Sequence, residues 1–520
     1  MASSLIDALS SPAPYPHPVD HVKIIETHIS WVLLAGDYAY KIRKPVNFGF
    51  LDFTSLEKRR FDCEEELRLN RRLSPDLYLG LVTLNGCLQQ PVINADGPVL
   101  EYAVQMRRFR QKDLLSRQQE QGRLSHTDIK DLAAQLARFH QRAPAASPHS
   151  AYGGPEALAA AVQGNFETAD ARLPAKAAPL RQQLQELRQW SEKQLADFTP
   201  LILERRVQRR VREGHGDLHL GNIARIDERL CPFDCLEFNP ALRWVDCLND
   251  LAFLLMDLEH RDEGALAQQL LDAYLQITGD FSGMPLLPLF KAYRAMVRAK
   301  VALLEAHEQD SARLEIYRRY AALAAMYAAP RPPRLVLMHG VSGSGKSWLS
   351  SRLLEHSPLG FVRLRSDVER KRLCGDAPGG LYSADSTRRT YTRLLELARM
   401  LLQAGRAVIV DATFLKHAQR RPFLQLAEEL DLPAQLLCCR ASEAVLDARI
   451  QARQLQNRDP SDATPSVRRM QMQQAEPLRA AEQHLAWAVN TGDAARVAWV
   501  EHRLGSAQTG PQSGGEASSS

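Results

Sequence analysis

The sequence predicts two domains: a small β-rich lobe running into a large helical lobe up to about residue 330, then an α/β domain with a mainly parallel sheet over 331–505. Three observations predict this. At 520 residues the chain exceeds what one hydrophobic core organises. A proline-rich joint, Ala329-Pro330-Arg331-Pro332-Pro333, stops the preceding helix and stiffens the connection. Beyond it, apolar runs at 335–338, 361–364, 407–410 and 435–438 alternate with helical stretches, the signature of βα units.

Within the first domain the small lobe is expected over about 20–110 and the helical lobe over about 111–328. Trp31 to Ile42 reads as two strands around a Gly36-Asp37 turn. Glu66 falls on a helix that also carries Leu69 and Leu73. Ser125 and Asp128 make a capping-box start, and Ile129, Leu132, Ala133 and Leu136 follow at helical spacing. His140 closes that helix on its apolar face and reads as a core histidine.

Composition narrows the class. Hydrophobic and charged fractions of 45% and 24% are ordinary for a globular protein, and a formal charge of +5 argues against a dedicated nucleic-acid wrapper while leaving room for local anion sites. The 8 cysteines show no repeated metal-ligand spacing, so reduced thiols are expected. No signal segment and no run of about 18 apolar residues is present, which points to the cytoplasm and to no stable nucleic-acid or membrane partner. The Gly/Ser/Gln-rich stretch 505–520 is expected to be disordered.

The second domain opens on Gly340-Val341-Ser342-Gly343-Ser344-Gly345-Lys346-Ser347, a complete G-x-x-x-x-G-K-[ST] phosphate-binding loop between an apolar strand and a helix. Backbone N–H groups from Gly340 through Gly345 would ring the phosphates of ATP or GTP, Lys346 would reach the β- and γ-phosphates, and the Ser347 hydroxyl would hold Mg²⁺. Asp367 follows the second strand, where ligands gather in a parallel sheet, and can orient an acceptor hydroxyl; Arg370, one turn on, can clamp an anionic substrate. A helix cap with a surface ion pair accounts for the same two residues. Asp411 ends an apolar strand, as a Walker B carboxylate supporting Mg²⁺ does. Arg449 and Arg453 share a helical face ahead of a loop at 458–462 and read either as lid cations or as a solvated basic face.

A second constellation lies upstream: Gly214-His215-Gly216-Asp217-Leu218-His219-Leu220-Gly221-Asn222, with Asp234 twelve residues later. A phosphotransferase needs a carboxylate to deprotonate the acceptor hydroxyl and oxygen ligands for Mg²⁺, roles that suit Asp217, and Asn222 with Asp234. The basic run 204–212 just before it is either a solvated helix face or an attractor for an anionic acceptor.

These residues resemble the aminoglycoside phosphotransferase and choline kinase group, marked by H-G-D-x-H-x-x-N and a following Asp. The resemblance implies a two-lobed protein-kinase-like fold, with Asp217 as base, Asn222 and Asp234 as metal ligands, and Asp250 in a structural D-L-A segment. It also implies a phosphate-holding strand lysine, Lys41, paired with Glu66, with Lys44 and Glu65 as competitors. The second half is similar to small P-loop kinases of the zeta-toxin, polynucleotide-kinase and gluconate-kinase type. The whole resembles bacterial bifunctional aminoglycoside phosphotransferase/ATP-binding proteins. Implied is transfer of a γ-phosphoryl group to a small hydroxylated acceptor by two kinase-like units. A silent first domain sensing a ligand and regulating a P-loop ATPase is the alternative.

Overall fold

Alternating inward and outward residues build the N-terminal sheet. In the computed structural model, which describes residues 2–49, 51–147, 149–174, 176–305, 311–375, 383–456 and 465–505, six antiparallel strands lie in the order Val22–Glu26, Ser30–Ala35, Tyr38–Arg43, Val99–Arg107, Tyr78–Cys87 and Gln90–Ile93. Leu33, Tyr40, Ile42, Val82 and Ala103 pack on one face. Ala39, Val104 and Met106 face the other way, against Cys63 and Leu67 of the helix Leu56–Asn70. Lys41 sits between Tyr40 and Ile42, so its side chain points to the helix side. Ser55 caps that helix by accepting the Lys58 N–H.

A helical body follows, made of His126–Arg142, Pro155–Arg172, Ala178–Val207, Cys247–His260, Leu287–Leu304 and Ser311–Ala328. The predicted capping box forms: Ser125 Oγ accepts the Asp128 N–H while Asp128 accepts the Ser125 N–H. Between the third and fourth of these helices the chain makes a small hairpin, Ile223–Ile226 with Arg229–Pro232, which delivers Asp234. A six-stranded sheet followed by a helical body is the two-lobed, protein-kinase-like arrangement expected.

The C-terminal sheet is wholly parallel, in the order Val362–Arg365, Val408–Asp411, Leu335–His339, Ala434–Arg440 and Ala486–Asn490. Its first four strands are those read from the apolar runs. In the fifth, Ala-Trp-Ala-Val-Asn, only Val489 is buried, so its apolar signal is weak. Val336, Met338, Ile409, Leu437 and Val489 pack against Leu349 and Leu353 of the helix Lys346–His356 and Val497 and Val500 of Ala494–Gly505.

The chain divides into two compact units, one comprising Met1–Glu263 and Leu286–Ala328, the other Gly264–Pro285 and Ala329–Ser520. The helix Gly264–Thr278, upstream of the proline joint, thus clusters with the second unit and packs on the helix Lys346–His356. The loop 458–462, the side chain of Arg453 and the stretch 506–520 lie outside the described residues. Cys63, Cys87, Cys231, Cys235, Cys247, Cys438 and Cys439 are free thiols. Among the described residues no helix is long and apolar enough to cross a membrane.

Candidate active sites

In the first unit the loop 214–222 is held from beneath by one carboxylate. Asp250, fully buried near the start of Cys247–His260, accepts the N–H groups of His215 and Gly216, each at 2.8 Å, and His140 Nε2 lies 3.1 Å from it. His140, Asp250 and the loop backbone form a stack in which each buried polar group has a partner. Burial drives His215 toward its neutral form, and its Nε2 meets the Phe233 carbonyl at 3.0 Å, which ties the loop to the segment bearing Asp234.

Asp217 emerges at the top of this loop. The Asn222 amide donates to its carboxylate at 2.9 Å and to its carbonyl at 3.0 Å, and His219 Nε2 stands 3.5 Å away. Burial works against its charge, yet His219, His215 and Arg298 together hold the carboxyl well below the usual range. It is ionised throughout neutral pH. Asp234, in a left-handed conformation at φ 61°, donates its N–H to Tyr78 Oη at 3.1 Å. Its carboxylate is 2.6 Å from Lys41 Nζ, a contact that outweighs burial and keeps it ionised.

Lys41 also meets Glu66 at 2.8 Å, so the structure brings together the pair expected from the strand and helix. The competitors go elsewhere: Lys44 to Glu26 at 2.6 Å, and Glu65 to Arg68 at 2.7 Å. Burial opposes the Lys41 charge, but Asp234 and Glu66 raise its pKa well above the ordinary value. Beside it Arg43, 1% exposed, pairs with Asp62 at 2.5 Å, Glu66 at 2.6 Å and Glu237. Two cations thus face four carboxylates, and burial pushes Glu237 up to about 8.

Two arginines of the basic run take structural roles. Arg205, fully buried, pairs with Asp246 at 2.6 Å, and Arg212 donates to the Ala143 carbonyl at 2.7 Å.

In the second unit the phosphate-binding loop is moulded around backbone that leaves no room for side chains. A Cβ on Gly340 would lie 2.6 Å from the Cys439 carbonyl oxygen, and one on Gly345 would lie 2.6 Å from Thr491 Oγ1. Gly345, at φ 88°, directly precedes the helix Lys346–His356. Lys346 folds back over the loop, its Nζ donating to the Val341 carbonyl at 2.9 Å, and the Ser342 N–H donates to Gln471 at 2.9 Å. Thr491 Oγ1 donates to the Ser344 carbonyl at 3.0 Å. A crowded glycine cradle at a helix N-terminus with an ammonium beside it fits a triphosphate and its divalent ion.

Asp411 ends the strand adjacent to the loop's own strand, with Ser350 Oγ at 3.4 Å and Arg365 Nε at 3.6 Å. Ser350 lies about one helical turn beyond Ser347, so this carboxylate and the Ser347 hydroxyl share one end of the sheet. Asp367 follows the neighbouring strand and pairs with Arg370 at 3.2 Å. The half-buried Tyr391 phenol borders both and lies 3.3 Å from Thr413 Oγ1. Arg449 is given to the loop itself, reaching Thr491 Oγ1 at 2.8 Å and the Gly343 carbonyl at 3.4 Å.

Four residues escaped the sequence reading: Glu237, Arg298, Arg363 and Thr491. Arg363 donates to the Ser347 carbonyl at 3.2 Å and pairs with Asp272 at 2.5 Å. Glu237 belongs to no recognisable motif, although its place three residues past Asp234 is a usable signal. The other three act across long sequence separations and leave no local pattern.

The family model described as an AAA domain matches residues 335–478, the stretch containing the phosphate-binding loop, Asp367 and Asp411. The protein Rv2004c of Mycobacterium tuberculosis (strain ATCC 25618 / H37Rv) is 32% identical over 463 residues, covering 87% of this chain and 90% of the relative. Mb2027c of Mycobacterium bovis gives the same figures. The chain belongs to the family of these mycobacterial proteins. The aligned stretch is longer than either unit, so it takes in residues of both. Among solved structures, a choline/ethanolamine kinase family protein from Mesorhizobium loti covers 63% of this chain and 97% of its own, at 13% identity and a TM-score of 0.37. A gluconokinase from Sinorhizobium meliloti 1021 covers 34% of this chain and 97% of its own, at 20% identity and a TM-score of 0.25.

Proposed function

We propose that this protein is an Mg²⁺-dependent phosphotransferase with two kinase-like units, each moving the γ-phosphoryl group of ATP or GTP to a hydroxyl of a small acceptor. The observation that carries the reading is the second unit's cradle: Lys346 and the crowded glycines at one end of the sheet, with Asp411 ending the adjacent strand and Asp367 just after the strand beyond it. When bound, the nucleotide supplies the phosphoryl group and the divalent ion offsets charge on its oxygens.

The chain's own residues do the rest. In the first unit Lys41, kept cationic by Glu66 and Asp234, would hold phosphate oxygens, while Asn222 and Asp234 would ligate the ion. Asp217, ionised and aimed by Asn222, would orient the acceptor hydroxyl and receive its proton late in transfer. In the second unit Asp367 would take that role with Arg370 beside it, and Ser347 and Asp411 would support the ion. Catalysis in both rests on positioning and charge neutralisation.

The test uses the full chain as wild type, Lys346→Ala, Asp217→Ala and the double variant, given Mg-ATP and a panel of hydroxylated metabolites. Lys346→Ala should abolish turnover by the second unit. Asp217→Ala should slow acceptor phosphorylation by the first about 10²- to 10⁴-fold. Turnover unchanged in the double variant would sink the proposal. Loss with Lys346→Ala alone, and no Asp217-dependent product, would leave the first unit a ligand sensor.

A further inference from the structure

We infer that the acceptor of the first unit carries an anionic group of its own, a phosphate ester or a carboxylate, and that Arg298 anchors it. The inference rests on the proposed role of Asp217. Its basis is the helix Leu287–Leu304, which passes beneath the catalytic loop. Arg294 on that helix donates to the Gly216 carbonyl at 2.9 Å and to Asn249 Oδ1 at 2.9 Å, over the Phe253 ring at 5.0 Å. Arg298 lies one turn further along the same face, which brings a half-buried guanidinium to the Asp217 side of the loop.

Arg298 forms no ion pair among the described residues. The carboxylates around it have other partners. Asp217 is engaged by Asn222 and His219. Asp257 accepts the Leu220 N–H at 2.9 Å and meets Arg261 at 3.3 Å, and Arg261 also reaches Glu120 at 3.6 Å. Glu259 holds Lys291 at 2.5 Å and the Tyr327 hydroxyl. Arg298 senses Asp217 and Asp257 at longer range and interacts with the Tyr320 hydroxyl, which together keep its charge against the cost of burial.

Tyr320 is buried beside this arginine, at 5% exposure. Its ring stacks on His260 at 3.8 Å and 15°, and the next residue back, Arg319, is exposed and donates to the His260 carbonyl at 3.3 Å. Burial and the nearby arginines push His260 down to about 4, so the stacked ring is neutral at pH 7. Two guanidiniums without carboxylates of their own, near the half-buried and neutral His260 ring, suit a small polar molecule with a negative group. An amino sugar would be repelled there, and a neutral sugar would leave the Arg298 guanidinium without a counter-ion. The transfer balances as for any alcohol: the acceptor oxygen bonds the γ-phosphorus, the bridging bond to the β-phosphate breaks to release the nucleoside diphosphate, and the hydroxyl proton passes to Asp217.

The experiment uses the full chain carrying Lys346→Ala, so that product reports the first unit, with Mg-ATP and matched alcohols: sugar phosphates and sugar acids, the parent sugars, and amino sugars. Asp217-dependent product should appear with anionic members. Arg298→Gln should raise KM for them about 10- to 100-fold with kcat little changed, and Arg298→Lys should recover part of the loss. Calorimetric titration of the best anionic acceptor without nucleotide should lose its signal in Arg298→Gln, and Arg319→Gln, at an exposed position, gives a second variant that does not perturb folding. Asp217-dependent transfer to neutral or amino sugars, with KM indifferent to Arg298→Gln, overturns the inference and leaves the phosphotransferase standing. A pH–rate profile shifted equally for every acceptor also overturns it, because Arg298 would then act only on Asp217. Absence of any Asp217-dependent product overturns both.

Discussion

Arg363 Nη2 lies 2.5 Å from Asp272, and the other terminal nitrogen of the same guanidinium donates to the carbonyl of Ser347, the residue after the phosphate-loop lysine, at 3.2 Å. Both side chains are largely buried, at 7% and 12% exposure. Asp272→Ala leaves a buried cation without its counter-ion and should cost about 3–5 kcal/mol. Nucleotide affinity should fall with it, because Arg363 steadies the first turn after the cradle. Urea melts and binding of a fluorescent ATP analogue check both effects, and the paired change Arg363→Met with Asp272→Leu should cost less than Asp272→Ala alone.

Gly345→Ala places a methyl group against Thr491 in a left-handed backbone, so two penalties combine. The variant should lose nucleotide binding to the second unit while first-unit activity persists. Adding Thr491→Ala removes the Oγ1 and Cγ2 contacts but leaves the Cβ of residue 491 at 2.9 Å and the backbone strain. Equilibrium binding should therefore return only in part.

Asp250→Ala removes the acceptor for two buried N–H groups and for His140. Each orphaned donor costs about 1–3 kcal/mol, so a drop in stability larger than that of Asp217→Ala is expected by thermal denaturation. Product formation by the first unit should fall as well, since the loop bearing Asp217 loses its support.

The lattice around Arg43 predicts a pH dependence. Burial takes Glu237 from its ordinary 4.5 to about 8, so the folded chain keeps a proton that the unfolded chain has released. Stability from this group is complete below the unfolded value and is lost as pH rises through about 8. Between about pH 5 and about pH 8 the melting temperature of nucleotide-free protein should fall, and Glu237→Gln should flatten that fall. A wild-type curve no steeper than the variant's would remove this account.

What the sequence disclosed follows from how far each interaction reaches. The phosphate-binding loop is contiguous, and every residue type in it has a chemical reason, so it was readable outright. The loop 214–222 was readable for the same cause, with Asp234 close behind. Lys41 and Glu66 were harder. Choosing them over Lys44 and Glu65 depends on which side of a strand faces which side of a helix, and one residue of slip reverses the answer. The Arg298, Arg363 and Thr491 contacts span dozens of residues and were invisible. In the basic run 204–212, open between a solvated helix face and an attractor for an anionic acceptor, Arg205 is consumed in the core by Asp246 while Arg209 is exposed. The strand Ala486–Asn490 was missed because only Val489 of its five residues is buried, which leaves little apolar signal.

The route of the chain has a hereditary consequence. It leaves the first unit after Glu263, re-enters at Leu286 and leaves again after Ala328. Splitting the gene at the proline joint would therefore strand Arg363 on one polypeptide and Asp272 on the other. The two kinase-like halves can be duplicated or lost together far more easily than they can be dealt out to separate genes.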